Sequence, residues 1–443
     1  MKSSKDNRTK LLIKNVVASF FVKGWSALVV LLMVPLTLKC LGAYQNGAWL
    51  TISSLLVWID HMDIGLGNGL RNKLAMYIAH DEIKEAQQIV SSTMAMLICF
   101  VFPLLFILVI LINYTDVYTI LNIQPTIIPE LRTALVCAVS LVCITFVLKF
   151  IGNVYMGLQL PAVNNTLLAL GQTLALLLTA LLYYTNHASF LFIVCVNTAA
   201  PLVVYSLAFP YTFNLRYPQL RPSLKCVNLR SALDLGNLGI KFFWLQLAGL
   251  IQFMTANILI SRFFTPEMVT PYQIAYRYIS LVMVGFTVIC MPFWNATTDA
   301  YERGDMAWIQ RASQKMNRMT IGIAIVLLFM ILISPRVYEI WIGDDCLVPY
   351  GMTVMMAIYI FLMIASMRYS YFLNGMGALR IQLYMTISAI IFIPMAWIVN
   401  HYTHNILWFM AVMCFCNIPG LIANIIQFNK ILNGRAKGIW RIR

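Results

Sequence analysis

Charge is scarce in this chain. Only 11% of its 443 residues are Asp, Glu, Lys or Arg, against about 25% in an ordinary soluble domain. Acids are scarcest, with 16 Asp+Glu against 31 Lys+Arg. So few polar groups exclude a soluble enzyme, and the apolar content excludes a disordered chain. Ten cysteines are present, but most fall inside apolar runs (Cys99, Cys137, Cys143, Cys195, Cys290, Cys414 and Cys416). Such positions suit inert apolar thiols, so neither a disulfide framework nor a metal cage is expected. Strict apolar–polar alternation is also missing, which excludes a β-barrel.

What is present is apolar residues, 61% of the chain, with a mean hydropathy of +0.80. That is enough for twelve spans of about 22 residues. Reading apolar runs between polar turns places them near 13–38, 43–64, 89–112, 132–157, 163–184, 189–211, 234–261, 271–297, 319–341, 350–373, 381–400 and 405–428. The basic N-terminus leads into a long apolar stretch with no small-residue cleavage site, so a retained first span is expected rather than a signal peptide. An even number of spans puts both termini on one side. The loops assigned to that side hold 22 of the 31 Lys+Arg, and the opposite loops hold four (Lys39, Arg132, Arg262 and Arg336). Cationic loops stay in the cytoplasm, so both termini are expected inside. The net charge of +15 is therefore read as topology, not as a nucleic-acid footprint. Two inner loops, 70–88 and 299–318, mix charged and apolar residues and are expected to form short interfacial helices.

The expected fold class is an all-α polytopic membrane protein, with twelve transmembrane helices in two pseudo-symmetric six-helix lobes around a central cavity. The lobes are expected at 1–215 and 234–443, joined by a cytoplasmic linker at 216–233. The halves run parallel and share landmarks. Span 1 carries Lys23 and span 7 carries Lys241, each early in its length. Span 4 carries Lys149 eight residues before Gly157; span 10 carries Arg368 seven residues before Gly375.

Five cations sit inside spans: Lys23, Lys149, Lys241, Arg277 and Arg368. Insertion scales charge roughly 2.5–3.5 kcal/mol for each at a span centre, or about 12–18 kcal/mol for five facing lipid. They are therefore expected to face a watery cavity, pair with acids or snorkel. Four lie in the cytoplasmic half and Arg277 in the outer half. Asn15, Ser19 and Lys23 recur every four residues, as do Lys149 and Asn153; Lys241 and Gln252 share a face. Cations lining a cavity suit an anionic substrate loaded from the cytoplasm. Diphosphate fits, because Arg binds phosphate bidentately and Lys acts as a point charge. The acids Asp60, Asp63, Asp234 and Asp299 lie near span ends and are the candidates for gating or for coupling to Na⁺ or H⁺. Asp234 is also placed to pair with Lys241.

Other motifs carry less. Residues 60–75 read DHMDIGLGNGLRNKLA. Their G-x-x-x-G spacing allows close helix approach. They lack the Lys-Ser/Thr of a phosphate-binding loop, which excludes nucleotide binding. His401 and His404 in a short outer loop are too few for a metal site. No nucleophile–base pair suggests catalysis, so no enzyme and no cofactor are expected.

The segments VPLTLKCLGAYQNGAWLTISSLL (34–56) and DIGLGNGLRNKLA (63–75) resemble the N-terminal signature of polysaccharide-biosynthesis flippases. These are the O-antigen and capsule repeat-unit translocases of the multidrug/oligosaccharidyl-lipid/polysaccharide exporter superfamily. The resemblance implies two six-helix lobes forming a V in the bacterial inner membrane. It implies a polyprenyl-diphosphate-linked oligosaccharide moved to the periplasmic leaflet by alternating access. It also implies a monomer whose partners are membrane lipids, a polysaccharide polymerase and a chain-length regulator. The five buried cations match such a cationic cavity by type and depth. Lipid II flippases of that superfamily usually have fourteen spans, so this chain departs from them. The alternative is a cation-coupled multidrug exporter on the same fold, which is expected to carry deep acids where this chain carries deep cations. An integral-membrane polymerase or glycosyltransferase would want a larger outer loop.

Overall fold

A computed structural model of the chain describes residues 2–60, 66–228, 255–378, 380–385 and 387–440. Among these the chain is helical, without strands. Nine helices among the described residues are long and apolar enough to cross a membrane. Eleven of the twelve expected spans fall on described helices; the seventh, 234–261, lies largely outside the described residues. The chain divides into two compact units, 1–246 and 247–443.

The first unit begins with helix α1, Lys2–Asp60. Fifty-nine helical residues would reach about 90 Å at 1.5 Å per residue, three bilayer cores. Gly42 divides it, with φ 68 and ψ 172. Only glycine adopts that conformation without strain, and so spans 1 and 2 separate there. There follow α2 (Leu66–Ala79), α3 (Ile83–Tyr114), the short helix α4 (Val117–Leu121), α5 (Leu131–Leu148), α6 (Phe150–Gly157), α7 (Pro161–Tyr184) and α8 (Phe190–Pro210). The segment 70–88, expected as a short helix, is helical in α2 and at the start of α3. Span 4 is α5 and α6 together, interrupted at Lys149.

Past α8 the chain runs through one π-helical turn, Tyr211–Arg216, and is then fastened to the N-terminal part of α3. Gln87 Nε2 donates to the Arg221 carbonyl at 2.9 Å. The Ser223 and Asn228 amides donate to Ser91 Oγ and Ser92 Oγ at 3.0 and 2.9 Å. Leu220 is fully buried beneath this strap. Each bond is worth about 1 kcal/mol, so Ser91→Ala with Ser92→Ala should speed proteolytic cleavage within 217–228 roughly thirtyfold. Limited proteolysis of the purified chain checks this.

The second unit holds residues 255–263 as a helical turn sequence, then α9 (Pro266–Glu302), α10 (Met306–Trp341), α11 (Tyr350–Gly375), α12 (Arg380–Met385), α13 (Ile387–Thr403) and α14 (Ile406–Leu432). Here the structure corrects the expectation of a separate interfacial helix at 299–318. The two membrane helices simply extend, and only Arg303–Asp305 intervene. Gly304, at φ 75, supplies the left-handed turn. The Asp305 carboxylate then caps α10 by accepting from the Trp308 amide at 2.9 Å. A three-residue turn with a good cap leaves no need for a third element.

The repeat seen in the sequence has a packing counterpart. A Cβ on Gly157 would lie 2.9 Å from Leu74 Cδ2 and 3.2 Å from the Arg71 carbonyl oxygen, both on α2. A Cβ on Gly375 would lie 2.8 Å from Thr297 Cβ and 2.9 Å from the Trp294 carbonyl oxygen, both on α9. In each unit, the C-terminal end of the cation-bearing span meets, through a glycine, the helix that continues or follows the second span of its half.

Candidate functional site

Lys149 stands where the span is least regular. It ends α5 and precedes α6 with φ −62 and ψ −16, a 3₁₀-like geometry. Its amide still donates to Thr145 at 2.8 Å, while the Gly152 amide donates to the Lys149 carbonyl three residues back at 2.9 Å. Irregular turns inside a helix often mark functional positions. Lys149 also borders two cavities of the first unit.

One cavity, of about 160 Å³, is lined by Thr93, Phe146, Phe150, Asn153, Asn164 and their neighbours, with Gly67 at its edge. The other, of about 410 Å³, is walled by Trp49, Leu56, Val57, Val142 and Pro201, with Ser53, Gln172 and Asn197 among its polar groups. The walls of both hold Lys149 and Leu168 and, among the described residues, no carboxylate. Asn164 lies against Gly152, so close that a Cβ there would meet its Oδ1 at 2.1 Å. Gly152 thus makes room for an amide that lines the smaller cavity. Asn197 Nδ2 donates to the Ile193 carbonyl at 2.9 Å. Gln172 Oε1 is buried without a hydrogen-bond partner. Lys149 and Asn153 do share a lined face, as their spacing predicts.

Arg368 in the second unit is 7% exposed. Its guanidinium donates to Asn317 Oδ1 on α10 and to the Tyr369 hydroxyl, and it lies 4.2 Å from the centre of the Tyr369 ring. Among the described residues no carboxylate pairs with it. Beside it on α11, Ser366 and Ser370 accept from Asn424 Nδ2 of α14 at 3.1 and 3.2 Å. Arg368 Nε, Asn424 Oδ1 and both amide atoms of the fully buried Gln427 have no hydrogen-bond partner. Buried polar atoms left unmade cost about 1–3 kcal/mol each, an expense that folds tolerate mainly where function uses the group.

The other expected site residues are scattered. Lys23 is exposed on α1 and lines neither Lys149 cavity. Arg277 is half-buried on α9. Lys241, Gln252, Asp63 and Asp234 lie outside the described residues, as do the side chains of Asn15, Ser19 and Asp60. Asp299 is exposed and pairs with Arg303 at 2.9 Å across one helical turn. His401 stacks on Trp397 with ring centres 5.8 Å apart. Sequence reasoning missed Asn164, Gln172, Asn197, Asn317 and Asn424. For Gln172 and Asn197 the signal available was an uncharged amide in mid-span, which the search for charge passed over; Asn164, Asn317 and Asn424 lie at or beyond the ends of the expected spans.

This all-helical chain of two units has the fold of the MATE transporters of the MOP superfamily. No family model and no curated protein matches the sequence. Among solved structures, an inward-facing multidrug resistance MATE transporter of the MOP superfamily is similar over 95% of this chain and 98% of its own, with a TM-score of 0.79 at 15% identity. An outward-facing multidrug resistance MATE transporter covers 94% and 97%, at TM-score 0.59 and 16% identity. A point mutant of the Vibrio cholerae MATE transporter VcmN covers 98% and 99%, at TM-score 0.65 and 15% identity. Identities this low speak for the fold.

Proposed function

We propose that this protein is a membrane transporter that moves an anionic amphiphile, a polyprenyl-diphosphate-linked oligosaccharide, from the cytoplasmic to the periplasmic leaflet by alternating access. The observation that carries the reading is a pair of intramembrane cations: Lys149, which borders two cavities, and Arg368, which donates to the neutral groups of Asn317 and Tyr369. Ionisable residues at such depth are functional by default, and the sign of the charge selects a phosphate-bearing head. In this reading the protein works as a monomer in the bacterial inner membrane with both termini cytoplasmic. Lys23, Lys241 and Arg277 are further candidates for contact with an anionic substrate. Asp60, Asp63, Asp234 and Asp299 are the candidates for Na⁺ or H⁺ coupling. A polysaccharide polymerase and chain-length regulator act on the product.

A second reading, a cation-coupled multidrug exporter, is favoured by the fold comparison itself, since the similar structures are of multidrug transporters. Deleting the gene separates the two. A flippase deletion accumulates a polyprenyl-diphosphate-linked oligosaccharide in extracted lipid and loses surface polysaccharide. Unchanged lipid intermediates together with heightened sensitivity to cationic dyes would select the exporter.

A further inference from the structure

The chain loses its acids long before its end. After Asp345 come 98 residues without one Asp or Glu, and seven of them are Lys or Arg. Five of the seven fall in the last fourteen positions, beginning at Lys430. That run follows directly on α14, which is long and apolar enough to cross a membrane. A segment leaving such a helix stands where lipid meets water, on whichever side it emerges.

The structure folds this segment back onto the helix. Gly434, at φ 66, ends α14. The Gly434 amide donates to the Ile431 carbonyl at 3.1 Å and the Arg435 amide to the Lys430 carbonyl at 2.8 Å, the closure of a glycine-ended helix. The chain then makes a 3₁₀ turn, Gly438–Trp440, which packs on α12 and α14. Trp440 is thereby brought to Lys430, whose Nζ lies 4.3 Å from the centre of its ring. The ring positions the ammonium by cation–π attraction and leaves its charge intact. α11 and α14 run side by side in one direction, since Cys414 reaches Met355 and Asn424 reaches Ser366 and Ser370. α12, which follows α11, therefore begins at the same boundary and adds Arg380.

The surface here is amphiphilic. Arg380, Arg435 and Lys437 are exposed and Lys430 is half-buried. Among the described residues no carboxylate pairs with any of them. Leu383 and Tyr384 of α12 and Ile439 of the turn are exposed as well. Cations beside exposed apolar side chains at a membrane boundary match an anionic lipid, with phosphate for the former and glycerol and upper acyl carbons for the latter. An acidic protein segment would answer the charge and leave the apolar groups unexplained.

We propose that the folded-back C-terminal segment, with Lys430 seated on Trp440, binds the phosphodiester head of an anionic bilayer phospholipid of the phosphatidylglycerol type. This lipid is a resident of the surrounding membrane and not cargo, and the site uses none of the intramembrane cations.

Native mass spectrometry of the purified full-length chain in detergent, titrated with phosphatidylglycerol or phosphatidylcholine, tests this. The wild type should bind its first phosphatidylglycerol at least about tenfold more tightly than phosphatidylcholine, which carries the same phosphate without net charge. Each cation removed should cost about fivefold. Lys430→Gln with Arg435→Gln should therefore weaken phosphatidylglycerol roughly thirtyfold and leave phosphatidylcholine unchanged. Trp440→Leu keeps every charge and should cost about two- to fivefold by releasing Lys430; it serves if the double variant melts early. Arg221→Gln with Lys225→Gln removes two exposed cations of the first unit and should leave the first binding step as it is. Equal affinity for the two lipids, selectivity retained by the double variant, or the same loss in the first-unit control would overturn the proposal. Displacement of the lipid by millimolar inorganic phosphate would also overturn it, since the site would then take a free anion.

Discussion

Replacing Lys149 and Arg368 together by glutamine is expected to abolish export while the protein still inserts and folds. A hydrogen bond to a charged group is worth about 1.5–3 kcal/mol. The two residues lie in different units and share no described partner, so their losses should add. About 3–6 kcal/mol corresponds to roughly a hundredfold to ten-thousandfold loss of transport, at about 1.4 kcal/mol per decade. Stability should move the other way or not at all. A buried charge carries a desolvation cost, and among the described residues Arg368 is held by the neutral groups of Asn317 and Tyr369. Removing the charge removes that cost. Thermal melting in detergent and a surface-polysaccharide assay therefore give opposite expectations for a binding role and a structural one. Wild-type export by the double variant defeats the site. Glutamates at the same positions discriminate further: a gain of cationic-dye export would favour the multidrug reading.

Gly375→Ala should destabilise the second unit by about 1–3 kcal/mol, the usual cost of overpacking a tight contact. The added methyl meets Thr297 Cβ at 2.8 Å and a backbone carbonyl, that of Trp294, at 2.9 Å. Neither is the free end of a flexible side chain, so a helix must move. Gly157→Ala should cost less. Its shortest contact is Leu74 Cδ2 at 2.9 Å, the movable tip of a leucine, and its backbone contact with Arg71 is longer, at 3.2 Å. Melting temperatures of the two variants, measured in the same detergent, check the order. Equal losses would show that the paired glycines are not distinguished by what they touch. Valine in place of either glycine should enlarge both effects.

Much of the fold is legible in residue order because lipid imposes one simple rule. A span must be long, apolar and internally hydrogen-bonded, and run length alone then locates it. The corner at Gly42 and the strategic cations Lys149 and Arg368 could be found this way. The long extension of α9 and α10 toward each other could not, because 299–318 is amphipathic whether it lies on a membrane or continues a helix out of one. The cap at Asp305 and the turn at Gly304 decide it, and both are short-range signals overshadowed by the charge pattern. The site was legible only in its charges. Arg368 finds Asn317 from 51 positions away, and Lys149 shares its cavities with Asn164, Gln172 and Asn197. Such neighbours are set by how helices pack against each other. The break in the helix at Lys149 likewise has no proline or glycine at that residue to announce it.

The chain fastened along α3 has a mechanical meaning. The first unit grips the polypeptide as far as Asn228, not merely to Arg216, where its last helical turn ends. Twelve residues beyond that turn, which would reach roughly 40 Å as extended backbone, are thereby held on the first unit's own surface, so that a protease reaching this stretch must first peel it from α3.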